Sequence, residues 1–245
     1  MQRSMILSLT VVFAACFAGS AQADWAPGDG HKMHWPQFPD PNGWDVAFST
    51  ILADDFRCTA TGPITDVHLW TSWREDQPNW DAIQNIHLSI HENDLSGQWS
   101  QPGDLLWQKD IEDFTYRQYE TGNQGWFDPM QEEVVENDHD VIWQINITGI
   151  QDPWEQTEGV TYWLDVAVEM EGGALGQMGW KTSLDHWEDD AVYDVNFEWH
   201  NHDWQELYDP LSPGESLDFA FVITPEPATL SLLALGGLAL IRRRR

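Results

Sequence analysis

The stretch NIHLSIHE, residues Asn85–Glu92, decides the fold class of this chain. Its apolar side chains Ile86, Leu88 and Ile90 alternate with polar ones. Because successive side chains of a β-strand point to opposite faces of a sheet, this period of two predicts a half-buried strand. Residues Ile64–Trp73 alternate in the same way and predict a second strand.

Further short runs rich in Val, Ile, Thr and aromatic residues extend this pattern, with Gly, Pro and Asp between them. The additional predicted strands are Leu105–Asp110, Phe114–Tyr119, Val141–Ile150, Thr161–Met170, Met178–Thr182, Val192–Trp199 and Leu217–Ile223. No longer stretch inside the domain repeats every 3.6 residues, and the acidic Gln131–Asp138 is interpreted as a loop. The sequence therefore predicts an all-β fold, an antiparallel β-sandwich of the jelly-roll type.

The first 23 residues are predicted to be a signal peptide. Arg3 precedes the apolar run Met5–Phe17, and Ala21-Gln22-Ala23 has the small residues that signal peptidase accepts. Signal peptidase is thus an expected partner, and the chain is expected to be exported. The alternative is a lipobox that ends at Cys16, but cleavage after Ala23 fits the pattern better.

The C-terminal segment, residues 224–245, combines three features in order: a Pro-Glu-Pro sequence, an apolar run and a basic end. The apolar residues 228–241 are fewer than the about 20 that a permanent transmembrane helix needs. They predict a short hydrophobic helix in transient contact with the membrane, with the arginines on the cytoplasmic side. The residues of this motif are Pro225, Glu226, Pro227, Arg242, Arg243, Arg244 and Arg245.

These three features together resemble the PEP-CTERM sorting signal. The resemblance implies processing by an exosortase-type enzyme, a location at the cell surface or outside the cell, and extracellular polysaccharide as a partner. An ordinary C-terminal membrane anchor is the alternative. Within the predicted domain, "ADDF" at 53–56 and "GPITDVHLW" at 62–70 resemble uncharacterised secreted bacterial β-sandwich domains, which implies fold and location but no activity.

The predicted domain, residues 24–223, is strongly acidic. It contains six of the chain's 11 basic residues and 40 of its 41 acidic residues, so its net charge is −34. A field of that sign repels nucleic acid and anionic membranes and attracts divalent cations. Nucleic acid is therefore excluded as a partner. Once Cys16 is removed, Cys58 has no partner for a disulfide and is expected to be a small buried residue.

All sixteen tryptophans lie in this domain. Trp70, Trp143 and Trp163 lie within apolar strands and are predicted to fill the core. Others have polar neighbours, and an exposed indole beside carboxylates suits a sugar ring, whose C–H surface stacks on the flat aromatic face. The candidate glycan-binding residues are Trp80, Trp99, Trp126, Trp154, Trp187 and Trp204.

Two groups of residues are candidates for metal binding. Asp40, Asn42 and Asp45 surround a Gly turn and are the predicted calcium ligands, although the full EF-hand spacing is missing; Asp54-Asp55, Glu92–Asp94 and Glu188–Asp190 are alternatives. His200 and His202 share one strand face, with Asp203 beside them, and would form half of a zinc or copper site if His186 or His139 supplied a third ligand.

No common catalytic motif is present, and forty carboxylates make a chance pair uninformative. The sequence favours a non-enzymatic component of the cell surface or extracellular matrix that contacts glycans weakly. Two alternatives stay open: an extracellular glycoside-active enzyme with two carboxylates, and a calcium-dependent carbohydrate-binding module.

Overall fold

The computed structural model describes residues 24–28, 32–173, 176–196 and 202–225. The predicted signal peptide, the hydrophobic helix and most of the sorting motif, from Glu226 onward, lie outside these ranges. Within them, no helix has both the length and the apolar character needed to cross a membrane.

The described residues form short strands joined by turns, and their only helices are three 3-10 turns at Arg74–Asp76, Trp80–Ala82 and Glu171–Gly173. The strands are β1 (Trp44–Ala47), β2 (Leu52–Arg57), β3 (Gly62–Pro63), β4 (Asp66–Trp73), β5 (Ile83–Asp94), β6 (Gln101–Ile111), β7 (Thr115–Asp128), β8 (Glu133–Ile147), β9 (Glu155–Gln156), β10 (Thr161–Met170), β11 (Met178–Ser183), β12 (Val192–Asp194), β13 (Trp204–Glu206), β14 (Asp218–Phe219) and β15 (Phe221–Thr224).

Two large sheets share one hydrophobic core. The first has the order β14-β11-β1-β7-β8-β4-β15 and the second the order β13-β12-β2-β10-β5-β6. In the second sheet, Leu164 pairs with Ile90 and Val166 with Leu88, and all four side chains enter the core. Residues of the first sheet, such as Trp180, meet them from the other side. Because apolar and polar side chains alternate along the strands, each sheet contributes one apolar face to the shared core.

The first sheet closes into a ring of five strands. Strand β11 pairs with β1 through one edge and with β4 through the other, and the pairs β1–β7, β7–β8 and β8–β4 complete the circuit. The β1–β7 pair is parallel and places Gly125 opposite Trp44. A Cβ at Gly125 would lie 2.3 Å from the Trp44 ring, so only glycine allows this approach.

The all-β prediction is confirmed. Two local predictions are wrong: most of Gln131–Asp138 belongs to β8 rather than to a loop, because this segment pairs with β7, and β5 is buried on both faces rather than one. The parallel pair and the closed ring differ from an open antiparallel sandwich, and the jelly-roll connectivity stays a prediction.

A group of charged side chains lies inside the ring. Asp45 Oδ2 accepts hydrogen bonds from Lys181 Nζ at 3.1 Å and from His139 Nε2 at 2.9 Å. Strand β7 separates β1 from β8, so this contact between Asp45 and His139 shows that the side chains converge within the ring. Asp138 Oδ2 lies 3.0 Å from the other ring nitrogen of His139.

The charges of Asp45 and His139 stabilise each other against burial, whereas burial lowers the pKa of Lys181 despite the charge of Asp45. Burial acts to raise the pKa of Asp45, but the charges of Lys181 and His139 outweigh it and the pKa is lowered. Burial acts to lower the pKa of His139, but Asp45 outweighs it and this pKa is raised. The three groups therefore form a buried ionic network, in which the loss of one partner leaves the others uncompensated.

We expect Asp45→Ala to destabilise the protein by about 3–5 kcal/mol, because Lys181 would then be a buried charge with no carboxylate. The double variant Asp45→Ala/Lys181→Met should be less destabilised than Asp45→Ala alone, since it removes that charge. Urea denaturation of wild type and both variants measures the effect. Equal destabilisation of the two variants would contradict the network.

Candidate functional site

The structure separates the six candidate glycan-binding tryptophans. The exposure expected from their polar neighbours is wrong for Trp126 and Trp204, which are only 0% and 6% exposed. Trp126 lies in the ring beside His139, and Trp204 packs with Trp163 on the outer face of the second sheet. Trp80, Trp99 and Trp154 are half-buried, and Trp187 is exposed.

Trp187 forms an exposed pair with Trp35. The ring centroids are 5.6 Å apart and the planes are inclined by 26°, with 41% of Trp187 and 53% of Trp35 accessible. Lys32 Nζ lies 5.5 Å from the centre of the Trp35 ring. Trp35 belongs to an irregular segment without periodicity, so no signal in the sequence identified it.

A second aromatic group lies on the first sheet. Trp80 stacks on Tyr116 with centroids 3.8 Å apart, and both rings meet Trp143 edge to face. Tyr116 is exposed, while Trp80 and the predicted core residue Trp143 are half-buried. Of the other predicted core tryptophans, Trp70 and Trp163 are fully buried, as expected.

Residues 184–191, the Trp187 loop, connect β11 to β12 and present Trp187 to solvent. Buried carboxylates hold its backbone: Asp218 Oδ2 accepts from Trp187 N at 3.1 Å, and the Asp55 oxygens accept from Asp189 N at 3.3 Å. Asp185 Oδ2 accepts from Phe38 N at 3.0 Å, which ties the loop to the segment that carries Trp35.

Several buried acidic side chains lie together at the base of the Trp187 loop. Burial raises the pKa of Asp55 to about 9 and that of Asp218 to about 6. Burial, followed by the charges of Asp218 and Asp55, raises the pKa of Asp54 well above its usual value. Asp54 and Asp55 lie on opposite faces of β2, as alternation requires, yet both are fully buried.

A polar groove of about 770 Å³ adjoins this loop through His186. Its lining contains carboxylates and amides, and Trp44 donates from its indole nitrogen to Asp209 at 3.0 Å. Acidic groove residues include Asp40, Glu136, Asp209 and Glu215. This volume is typical of small-molecule sites, and the lining suits a neutral or cationic ligand rich in hydroxyl groups.

The three predicted calcium ligands do not converge. Asp40 Oδ1 accepts from the backbone nitrogen of Asn42 in an exposed turn, whereas Asp45 is buried in the ring with Lys181. The three residues were predicted to share a site because they are close along the chain. Strand β1 begins at Trp44, before Asp45, and directs the Asp45 side chain into the ring. Calcium binding itself stays a prediction.

The described histidines of the predicted zinc or copper site pair with different carboxylates. His139 contacts Asp45, His186 contacts Asp218, and His202 lies 3.0 Å from Asp194. His200 and Asn201 are outside the described residues. His202 belongs instead to a polar layer on the outer face of the second sheet, where its ring meets that of His91 edge to face.

In this layer, His91 and Asp165 form a buried pair. His91 Nδ1 lies 2.9 Å from the carbonyl oxygen of Gly103, and His91 Nε2 lies 3.1 Å from Asp165 Oδ2. Burial lowers the pKa of His91, and burial with the charge of Asp194 raises the pKa of Asp165 well above its usual value. Ser89 Oγ lies 3.3 Å from His91 Nε2, and burial favours the neutral forms of both His91 and Asp165.

Because the pKa of Asp165 is raised on folding, the contribution of this group to stability falls as pH rises above the unfolded value near 3.9, by up to about 1.4 kcal/mol per pH unit until the folded pKa is reached. We expect Asp165→Asn, which has no ionisable group at this position, to lose less stability than wild type as pH rises from about 4.

Urea denaturation at several pH values checks this, with Asp165→Ala, which also lacks an ionisable group, as the comparison. Parallel pH profiles for wild type and Asp165→Asn would contradict a protonated Asp165.

Cys58 is buried and does not contribute to the site. Its Sγ lies 3.0 Å from Gln156 Oε1, and burial raises the pKa of the thiol to about 12. A thiol in this state is a poor nucleophile. The expectation of a small buried residue is confirmed.

Two regions of the chain match known families. Residues 224–245 match the PEP-CTERM protein-sorting motif, so the chain is an exported surface protein that an exosortase processes. Residues 33–224 match a domain of unknown function, DUF7901, and the chain belongs to that family. No curated protein and no solved structure matches it significantly.

Proposed function

We propose that the exported domain is a non-enzymatic surface protein that binds a polysaccharide without negative charge through the Trp35–Trp187 pair. The observation that supports this proposal is the exposure of two stacked indoles on a loop whose backbone is held by buried carboxylates. Water contact with so much aromatic surface is unfavourable, so a ligand that covers it gains free energy.

The chemistry of the surroundings supports a sugar. An indole face accepts the C–H surface of a pyranose, and the nearby groove supplies carboxylate and amide oxygens for hydroxyl groups. Lys32 adds a donor beside Trp35. Fixing the Trp187 loop before binding lowers the entropic cost of association. The net charge of the domain disfavours an anionic polymer.

The two terminal segments direct the export of the domain. Signal peptidase removes residues 1–23, the domain of residues 24–223 is presented outside the cell, and the arginine cluster of the tail faces the cytoplasm until processing. Residues 228–241 contact the membrane only during this step.

We expect Trp187→Ala to weaken glycan binding at least tenfold, about 1.4 kcal/mol or more, because it removes the stacking surface. Leu95→Ala, at an exposed position outside the groove, should bind like wild type. Tyr116→Ala tests the second aromatic group and should also leave binding intact. A glycan array followed by titration of the best ligand, with calcium and with chelator, makes the measurement.

Three results would contradict the proposal: no binding by wild type in either condition, loss of binding in Tyr116→Ala instead of Trp187→Ala, or release of new reducing ends from the ligand. The last would indicate an enzyme. Thermal unfolding of each variant controls for folding.

Replacing Pro225, Glu226 and Pro227 together by alanine should stop exosortase processing, because it removes the polar part of the sorting motif. The chain should then accumulate in the membrane fraction with its C-terminal arginines, as mass spectrometry detects. Pro213→Ala, in an exposed turn, is the matched control. Normal removal of the tail from the triple variant would overturn this role.

A further inference from the structure

We propose that His186, Asp190 and Asp218 bind one divalent first-row transition-metal ion, of the class to which zinc belongs, and that this ion orders the Trp187 loop. Each residue offers one ligand atom, and these atoms all lie within 4.8 Å of one another. It is the one group of three such side chains in the part of the chain that the structure describes. The inference does not depend on glycan binding.

The separation of the first two ligand atoms fits a shared ion. His186 Nδ1 lies 3.2 Å from Asp218 Oδ1. Two ligands of a tetrahedral zinc ion, each about 2.0–2.2 Å from the metal, lie roughly 3.3–3.6 Å apart. The two atoms are therefore nearly in place, and only a small movement of the half-exposed His186 side chain is needed.

The Asp218 carboxylate supplies an independent indication. Its side chain is 1% exposed; Oδ2 accepts from Trp187 N, but Oδ1 makes no hydrogen bond even with the nearby His186 nitrogen. A buried carboxylate oxygen without a donor is unfavourable. It points toward His186 and Asp190, so a cation bound among the three would satisfy it.

The charge around the site favours a cation. Asp54 and Asp55 are further buried acidic side chains close to Asp218, so the site is surrounded by oxygen donors. His186 is 50% exposed, which leaves access from solvent and room for a water molecule at a fourth position. The imidazole ligand selects a transition metal over calcium, which prefers oxygen ligands alone.

The position of the ligands explains how the ion would act on the loop. His186 and Asp190 lie on either side of Trp187 within the loop, while Asp218 belongs to β14. An ion bound by all three would join both halves of the loop to the sheet. Trp187 would then be held from its backbone nitrogen and from both flanks.

Isothermal titration calorimetry of the metal-free protein with zinc chloride, and in parallel with calcium chloride, tests the site. We expect one zinc ion per chain, with affinity reduced at least tenfold in His186→Ala and in Asp190→Asn. The matched control is His202→Ala, another histidine paired with a buried aspartate, which should bind zinc like wild type. Hydrogen exchange of residues 184–191 should slow when zinc is added.

The inference is overturned if zinc does not bind, if His186→Ala binds it unchanged, if calcium binds more tightly than zinc, or if exchange in the loop does not respond to bound zinc. Thermal unfolding of the variants shows that they fold. Neither measurement uses a glycan, so failure of the metal site and failure of glycan binding are seen separately.

Discussion

Negative charge in the interior is the constraint on which the rest of the structure depends, because six cationic side chains accompany forty carboxylates between residues 24 and 223. Of those six, only Lys181 is fully buried, and it forms an ion pair with Asp45 inside the ring. The remaining buried carboxylates need other means of compensation, since a buried charge without a partner is strongly unfavourable. The fold meets this need with protons, backbone amides and polar side chains.

The groups that compensate the buried carboxylates differ between the two regions below, and so does the structural result. On the outer face of the second sheet, burial and the charge of Asp194 raise the pKa of Asp165 and favour the protonated acid. At the base of the Trp187 loop, Asp55 and Asp218 accept backbone N–H groups and so fix a loop that carries an exposed indole. The acidity that keeps the domain soluble outside the cell thus also shapes its candidate binding surface.

The fold suits a protein that is exported to the cell surface. A domain that bears a PEP-CTERM sorting motif works outside the cytoplasm. Cys58 forms no disulfide within the described residues, so the packing of two sheets has to provide their stability. The closed ring of strands reduces the number of free sheet edges, which protects an exported β-protein from edge-to-edge association. Among the described residues, the exposed Trp35, Trp187 and Tyr116 belong to two aromatic surface groups, which a ligand gains free energy by covering.

The sequence by itself determined the all-β class, most strands, the sorting motif and the excess of negative charge, because alternation, turn residues and composition are local properties. Only the tertiary structure decided that Trp126 is buried and that Trp35 stacks on Trp187. It also decided that Asp45 pairs with Lys181 instead of lying beside the other predicted calcium ligands. Lys181 and Asp45 are 136 residues apart in the chain, and their contact depends on which strands pair and on the curvature of the ring. Local periodicity indicates on which face of its strand a side chain lies. It carries no information about which strand from a distant part of the chain packs against that face.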